Sequence, residues 1–248
     1  MQISPPFGYK EIVPFLKTQR VRMPSPGEFP EFVRQGHALP VSFAEFKPAT
    51  RDYPVVFTSV DGGRSYMSVA VLGISPGENL LCDASGWESG AYIPAYARRH
   101  PFCMSRVSVN NVERKDRLIC VEKTALDEGG ELLFEANGEP LERWKDLERL
   151  LAEFETDAER AREMCSILAD YGLLESFSMQ ATFKDESSSP VQVTGMHRVA
   201  EQRLENLNAA QLKNLVRKGI LARVYMHLLS LDNYGRLLER KGARQKAA

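Results

Sequence analysis

Two runs of strand-forming residues, PVVFTSV at 54–60 and SYMSVAVLGI at 65–74, flank Asp61-Gly62-Gly63, and no other feature restricts the fold as much. β-Branched and aromatic residues suit a half-buried pleated surface, and an Asp-Gly step supplies the positive φ that a hairpin turn requires. The spacing predicts a β-hairpin. Further short strands are expected at Glu78–Cys82, Phe102–Val109, Arg117–Glu122 and Glu131–Phe134, with a second positive-φ turn at Asn137-Gly138. The middle of the chain is therefore expected to be a sheet.

Helical periodicity follows. Leu141, Trp144, Leu147, Leu150, Leu151 and Phe154 recur at helical spacing and predict one helix, and a second is expected over 156–171 with Thr156 or Asp157 as its cap. The runs FSMQATF (177–183) and VQVTGM (191–196), on either side of a polar loop KDESSSP, read as a return to strands. From Asn208 onward three short amphipathic helices are expected, with Gly219 and Gly242 as terminators. Pro5, Pro6, Pro14, Pro24, Pro26 and Pro30 remove backbone donors and restrict the residues before them, which predicts a draped arm. With no internal repeat or long linker, the expectation is one α+β domain over 1–248. It combines a mixed or antiparallel β-sheet core with packed helices, a Pro-rich arm over 1–36 and a helical C-terminal segment over 206–248.

Lys and Arg number 32 against 33 Asp and Glu, so no global field favours nucleic acid or anionic lipid. Arg236, Arg240, Lys241, Arg244 and Lys246 form the one basic cluster, read as a solvated helix end. Cys82, Cys103, Cys120 and Cys165 are scattered, without CxxC or a zinc-finger histidine spacing, and fit core-facing thiols in a reducing compartment. No run of 18 apolar residues predicts a membrane span, and the opening MQISPPFGYKEI lacks the pattern of a signal peptide. A cytoplasmic location is expected.

Three motifs carry chemical readings. Gly73-Ile-Ser75-Pro-Gly77 matches the nucleophile-elbow pattern, but Pro76 has no N–H to donate to an oxyanion and the next residues do not read as a helix, so a plain turn is expected. A non-haem iron site needs two histidines and a carboxylate. Its candidate ligands are His37, His197 and His227, with Glu45 or Asp83 as carboxylates, although His227 lies in an apolar helix and reads equally as a satisfied core residue. The segment WESGAYIPAYARRHPF (87–102) is richer: Trp87, Tyr92, Tyr96 and Phe102 suit the wall of a pocket, and Arg98 and Arg99 suit a clamp on carboxylate or phosphate. The alternative is that these aromatics pack in the core and one arginine pairs with a buried carboxylate such as Glu45 or Asp83. Phosphate loops and dinucleotide fingerprints are absent from the sequence.

The chain resembles the SapC family. The likeness runs through Gly36-His37, Pro40-Val41, Glu45, Tyr53-Pro54-Val55-Val56-Phe57, Leu72-Gly73, Gly77-Glu78-Asn79-Leu80 and Trp87. It continues through Tyr92–Tyr96, Arg98–Phe102, Gly130–Pro140 and Gly195–Val199, and ends at Gly219-Ile220-Leu221, Tyr225 and His227–Ser230. Members of that family more often carry tyrosine where this chain has His100, and an aromatic at the position of His197, which argues against a family-wide catalytic role for either. The resemblance links the chain to bacterial surface layers and to gene clusters encoding outer-membrane receptors and flavin-dependent halogenases, but defines no reaction. The reading reached is an accessory ligand- or protein-binding module that holds a carboxylate near Trp87, Tyr92, Tyr96, Arg98 and Arg99. A protein or peptide is its expected partner, and the C-terminal helices offer a homodimer surface. The competing reading is a metal-dependent oxygenase that modifies a peptide or protein, with iron on His37, His197 or His227.

Overall fold

The structure, a computed structural model, describes residues 4–59, 61–83, 85–109, 112–181 and 191–247. In chain order its elements begin with β1 (Ile12–Pro14), β2 (Arg20–Val21), α1 (Glu31–Arg34), β3 (Ala38–Pro40), α2 (Phe46–Asp52), β4 (Val55–Thr58) and β5 (Met67–Val71). There follow β6 (Cys82–Asp83), β7 (Gly86–Trp87), α3 (Ala95–Arg98), β8 (Phe102–Val109), β9 (Val112–Glu122), β10 (Glu131–Leu132) and α4 (Glu142–Asp170). Strands β11 (Leu174–Ala181) and β12 (Val191–Val199) precede the helices α5 (Ala209–Arg217), α6 (Ile220–Ser230) and α7 (Asn233–Ala247). The fold is α+β, and all of its paired strands are antiparallel. The expected loop KDESSSP and the last two residues of FSMQATF lie outside the described residues.

The chain forms two compact units, Met1–Val33 with Ala95–Thr156, and Arg34–Pro94 with Asp157–Ala248. Each draws on two separate stretches of sequence, so no linker composition marks a boundary. In the first unit β1, β9 and β8 form a sheet in that order, and β10 pairs with β2. The proline-rich arm thus enters two sheets instead of only draping over the fold. Pro14 closes an edge strand opposite Cys120, a position where a missing N–H costs no ladder bond. Val21, Phe102, Val121, Leu133, Trp144 and Leu151 make the core beneath it.

The second unit is built on a five-stranded sheet in the order β11-β12-β4-β5-β3. The expected hairpin is present as β4 and β5, paired from Val55 opposite Ala70 to Thr58 opposite Met67. Gly62 and Gly63 take φ of 73° and 90° at its tip. The strand expected at Glu78–Cys82 is shorter and later, Cys82–Asp83 against Gly86–Trp87. Upstream of it the backbone is held irregularly: Leu80 N–H donates to Leu72 O at 2.7 Å, and Glu78 O lies so close to Gly73 that a Cβ there would stand 2.1 Å from it.

Two helical expectations are corrected. Residues 142–170 form one helix, not two, because the stretch contains no glycine or proline. The supposed caps act within it: Thr156 Oγ1 donates back to Ala152 O, and Asp157 pairs with Arg160 one turn on. Gly242 likewise lies inside α7, whereas Gly219 does separate α5 from α6, at φ 69°. The basic cluster on α7 is a clamp more than a solvated end. Arg240 makes a two-pronged bond to Glu88, Lys241 reaches Glu78, and Arg244 donates to the carbonyls of Asn79 and Cys82. All three tie the helix to the 78–88 loop of the same unit.

His227 on α6 is fully buried. Its Nδ1–H donates to Val55 O at 2.6 Å, and its Nε2 accepts from Val199 N–H at 3.1 Å, so the ring is neutral with the proton on Nδ1. Burial pulls its pKa from 6.5 to about 4, against a smaller opposing pull from the Val55 hydrogen bond. A group whose folded pKa is depressed contributes stability above its unfolded pKa and loses it as pH falls toward the folded value. Between pH 6.5 and about 4 the loss is on the order of 3 kcal/mol. Urea denaturation at pH 7.5 and pH 4.5 should therefore show a steeper loss for the wild type than for His227→Gln, and equal losses would contradict the assignment.

Candidate functional site

Arg99 follows the single turn of α3 and is 2% exposed. Its guanidinium lies 4.2 Å from the Tyr96 ring centroid, 4.5 Å from that of Phe154 and 5.8 Å from that of Tyr9. Such stacking uses the weak hydration and planarity of arginine. Nη1 donates to Glu155 Oε1 at 3.2 Å, and the other Glu155 oxygen pairs with Arg117. Arg99 Nε is buried without a hydrogen-bond partner. The rings are themselves anchored: Tyr96 OH donates to Phe7 O at 2.6 Å and Tyr9 OH to Phe102 O at 2.8 Å. Burial pushes the Tyr96 phenol up to about 12 and that of Tyr9 higher still, so neither carries charge near neutrality. His100 packs beside them, its ring centroid 5.5 Å from Tyr9 and 5.9 Å from Phe32, and burial lowers its pKa to about 4.

The five aromatic and arginine candidates divide between the units. Tyr96, Arg98 and Arg99 belong to the first, with Arg98 exposed at the end of α3; Trp87 and Tyr92 belong to the second. There Tyr92 OH donates to Glu45 Oε1 at 2.9 Å, while Ser42 supplies both N–H and Oγ–H to Glu45 Oε2. Tyr92 N–H donates to Asp52, Trp87 Nε1–H donates to Tyr53 OH at 3.2 Å, and Tyr53 OH donates to Tyr92 O. The 86–92 loop is therefore fastened to α2 through its own polar groups. Glu45 is a buried carboxylate, as anticipated, and accepts from the Tyr92 and Ser42 hydroxyls and the Ser42 amide; the carboxylate at Arg99 is Glu155.

The candidate metal ligands sit in three settings within the second unit. His37 is exposed, and its carbonyl accepts from Leu72 N–H and Gly73 N–H. His197 on β12 is half-buried, stacked edge-on against Tyr66 at 4.9 Å with Nδ1 unpartnered. His227 has both ring nitrogens engaged, as above. Among the described residues no three His, Cys, Asp or Glu side chains are grouped to hold a metal ion. Ser75 sits in a bend with no helix after it, and its Oγ accepts from Lys241.

One groove was not anticipated. It lies in the second unit between the β4–β5 tip and the C-terminal half of α4, with a volume of about 340 Å³. Thr58, Arg64, Ser65, Tyr66 and Met67 line one wall, and Arg162, Ser166, Ala169 and Asp170 the other. Asp61 organises the tip. Its carboxylate accepts from Ser65 Oγ and N–H, Ser59 Oγ and Arg64 N–H, and the Ser65 bonds lead in holding its pKa down to about 2. The Asp-Gly-Gly sequence marked a turn; nothing in its spacing marked Arg162, a hundred residues away, as the facing wall.

These features define an α+β protein whose charged and aromatic side chains form internal networks in each unit and, in the second, line an open, arginine-bearing groove. The chain belongs to the SapC family, whose model matches residues 20–237. No curated protein and no solved structure matches it.

Arg99→Ala removes the stacked cation and leaves Glu155 with Arg117 alone, so stability should fall by about 3 kcal/mol. Arg98→Ala, at an exposed position where solvent screens any ion pair, should change it by less than about 1 kcal/mol. Urea midpoints for the two variants check this, and similar values for both would contradict the cage.

Proposed function

We propose that this SapC-family protein is an accessory binding module that holds a carboxylate-bearing ligand, a peptide in the first instance, in the groove between the β4–β5 tip and α4. The observation that carries the reading is the placement of Arg64 and Arg162 on opposite walls of one concavity. Two planar guanidinium forks suit a carboxylate. The hydroxyls of Thr58, Ser65 and Ser166 offer further polar contacts, and the Tyr66 ring gives an apolar surface for the ligand's stem. The volume lies at the small end of ligand sites, which suits a side chain or a chain terminus better than a cofactor. The anion-clamp chemistry expected at Arg98 and Arg99 is thus proposed for arginines elsewhere on the surface, with Arg99 committed to Glu155.

Fluorescence anisotropy with a labelled triglutamate peptide tests the proposal. Arg64→Ala and Arg162→Ala should each weaken binding about tenfold, the loss of one charge-assisted hydrogen bond, and Arg98→Ala should leave it unchanged. Equal affinity of the wild type and both groove variants would overturn the reading. Metal analysis of protein purified without an affinity tag addresses the oxygenase alternative: stoichiometric iron lost in His37→Ala or His197→Ala would favour it.

A further inference from the structure

Helices α5 and α6 carry four of the large apolar side chains that the second unit leaves exposed: Leu212 at 42%, Val216 at 57%, Tyr225 at 46% and Leu229 at 74%. Their spacing is regular. Leu212 and Val216 are one turn apart on α5, and Tyr225 and Leu229 one turn apart on α6, so each pair forms a short ridge along its helix. Scattered exposed leucines are ordinary, whereas four apolar side chains paired at one-turn spacing on consecutive helices are anchors of the kind a partner helix uses.

The fold does not use these ridges, because each helix buries a different side. Leu215 of α5 and Ile220, Val224, His227 and Ser230 of α6 are the buried positions. The hairpin itself is firmly built: Asn208 and Gln211 form a reciprocal cap at the start of α5, and Gly219 makes the left-handed turn into α6. The exposed residues are therefore presented by ordered helices.

The charge pattern says what covers them. From Asn206 to Leu231 the sequence contains no aspartate or glutamate, and its charged residues are Lys213, Arg217, Lys218 and Arg223. Lys218 pairs with Glu163, and Arg223 stacks on Phe43 at 4.1 Å. Lys213 and Arg217, both exposed, follow Leu212 and Val216 directly in sequence. A second copy apposed on this surface would bring cations toward cations. Four apolar anchors also fall well short of the 20 to 30 residues a side, roughly 800 Å², that a stable dimer interface needs. Both facts suit a short partner with apolar anchors one turn apart and carboxylates on its flanks.

We infer that the α5–α6 surface docks an acidic amphipathic helix of a partner protein, with Leu212, Val216, Tyr225 and Leu229 as the apolar contacts and Lys213 and Arg217 as the electrostatic rim. The surface shares no residue with the groove above, and the inference does not depend on it.

A labelled synthetic helix with leucine at i, i+3, i+4 and i+7 and glutamate elsewhere, titrated against the full chain by anisotropy, tests the inference. The expected result is saturable binding that weakens at least tenfold in Leu229→Asp and in Val216→Asp, weakens severalfold in Arg217→Glu, and falls with added salt. Arg162→Ala should leave it unchanged, which separates this surface from the groove. Circular dichroism of the variants checks folding, which substitution at such exposed positions leaves intact. Equal affinity of the wild type and the Asp variants would overturn the inference. So would a dimer in analytical ultracentrifugation that Leu229→Asp dissociates, or sedimentation with phosphatidylglycerol vesicles that the same substitution abolishes, since each assigns the surface to a different occupant.

Discussion

Both backbone polar groups of Val55 are taken by one helix. Its carbonyl accepts from the His227 imidazole, and its N–H donates to Ser230 Oγ three residues further along α6. The other nitrogen of the same imidazole receives Val199 N–H from β12, and Asn233, just beyond α6, donates to the carbonyls of Thr50 and Tyr53. A helix thus fills hydrogen-bonding positions along β4 where the ladder does not reach, since β12 meets β4 only at Phe57 and Thr58. Buried backbone groups left open would each cost 1–3 kcal/mol. These bonds tie β4 and β12 to α6 and the start of α7, and β4 and α6 each carry part of one proposed binding surface.

The arginines show the same division between holding and presenting. Arg99 is enclosed by aromatic rings and paired with Glu155; Arg240 and Arg244 are spent on the 78–88 loop. Arg64 and Arg162 line an open groove, and Arg162 also lies 4.0 Å from Glu159 one turn back on its helix. Arginine-rich sequence marks a need for bidentate, weakly hydrated cations without saying whether the anion will be internal or external. Burial distinguishes the two, and burial is a property of the folded chain.

That difference explains what the sequence disclosed. The β4–β5 hairpin, the α+β class, the C-terminal helices and the left-handed turn at Gly219 all rest on local periodicity or on φ constraints, and all were legible. The single long α4 is hidden in the sequence because Thr156 and Asp157 are good caps in isolation, and only their side-chain bonds to Ala152 O and Arg160 show them working inside a helix. The basic cluster on α7 was read as solvated because its partners, Glu78, Glu88 and the carbonyls of Asn79 and Cys82, lie some 150 residues earlier. The groove is the extreme case. Its walls come from a hairpin tip and a helix whose sequences carry no mutual signal.

Two further histidines, His100 and His197, fit the same logic. His100 stands among Tyr9 and Phe32, and His197 stands edge-on to Tyr66; each has its Nδ1 buried and without a partner. A ring that leaves Nδ1 unsatisfied is being used for its shape and its faces more than for its proton or lone pair. For His100 burial reinforces the point, because a pKa of about 4 keeps the ring uncharged at neutral pH. Tyrosine or another aromatic residue fills such a place at no electrostatic loss. His197 also touches the groove indirectly, since its ring meets Tyr66, a groove-lining residue, edge-on at 4.9 Å.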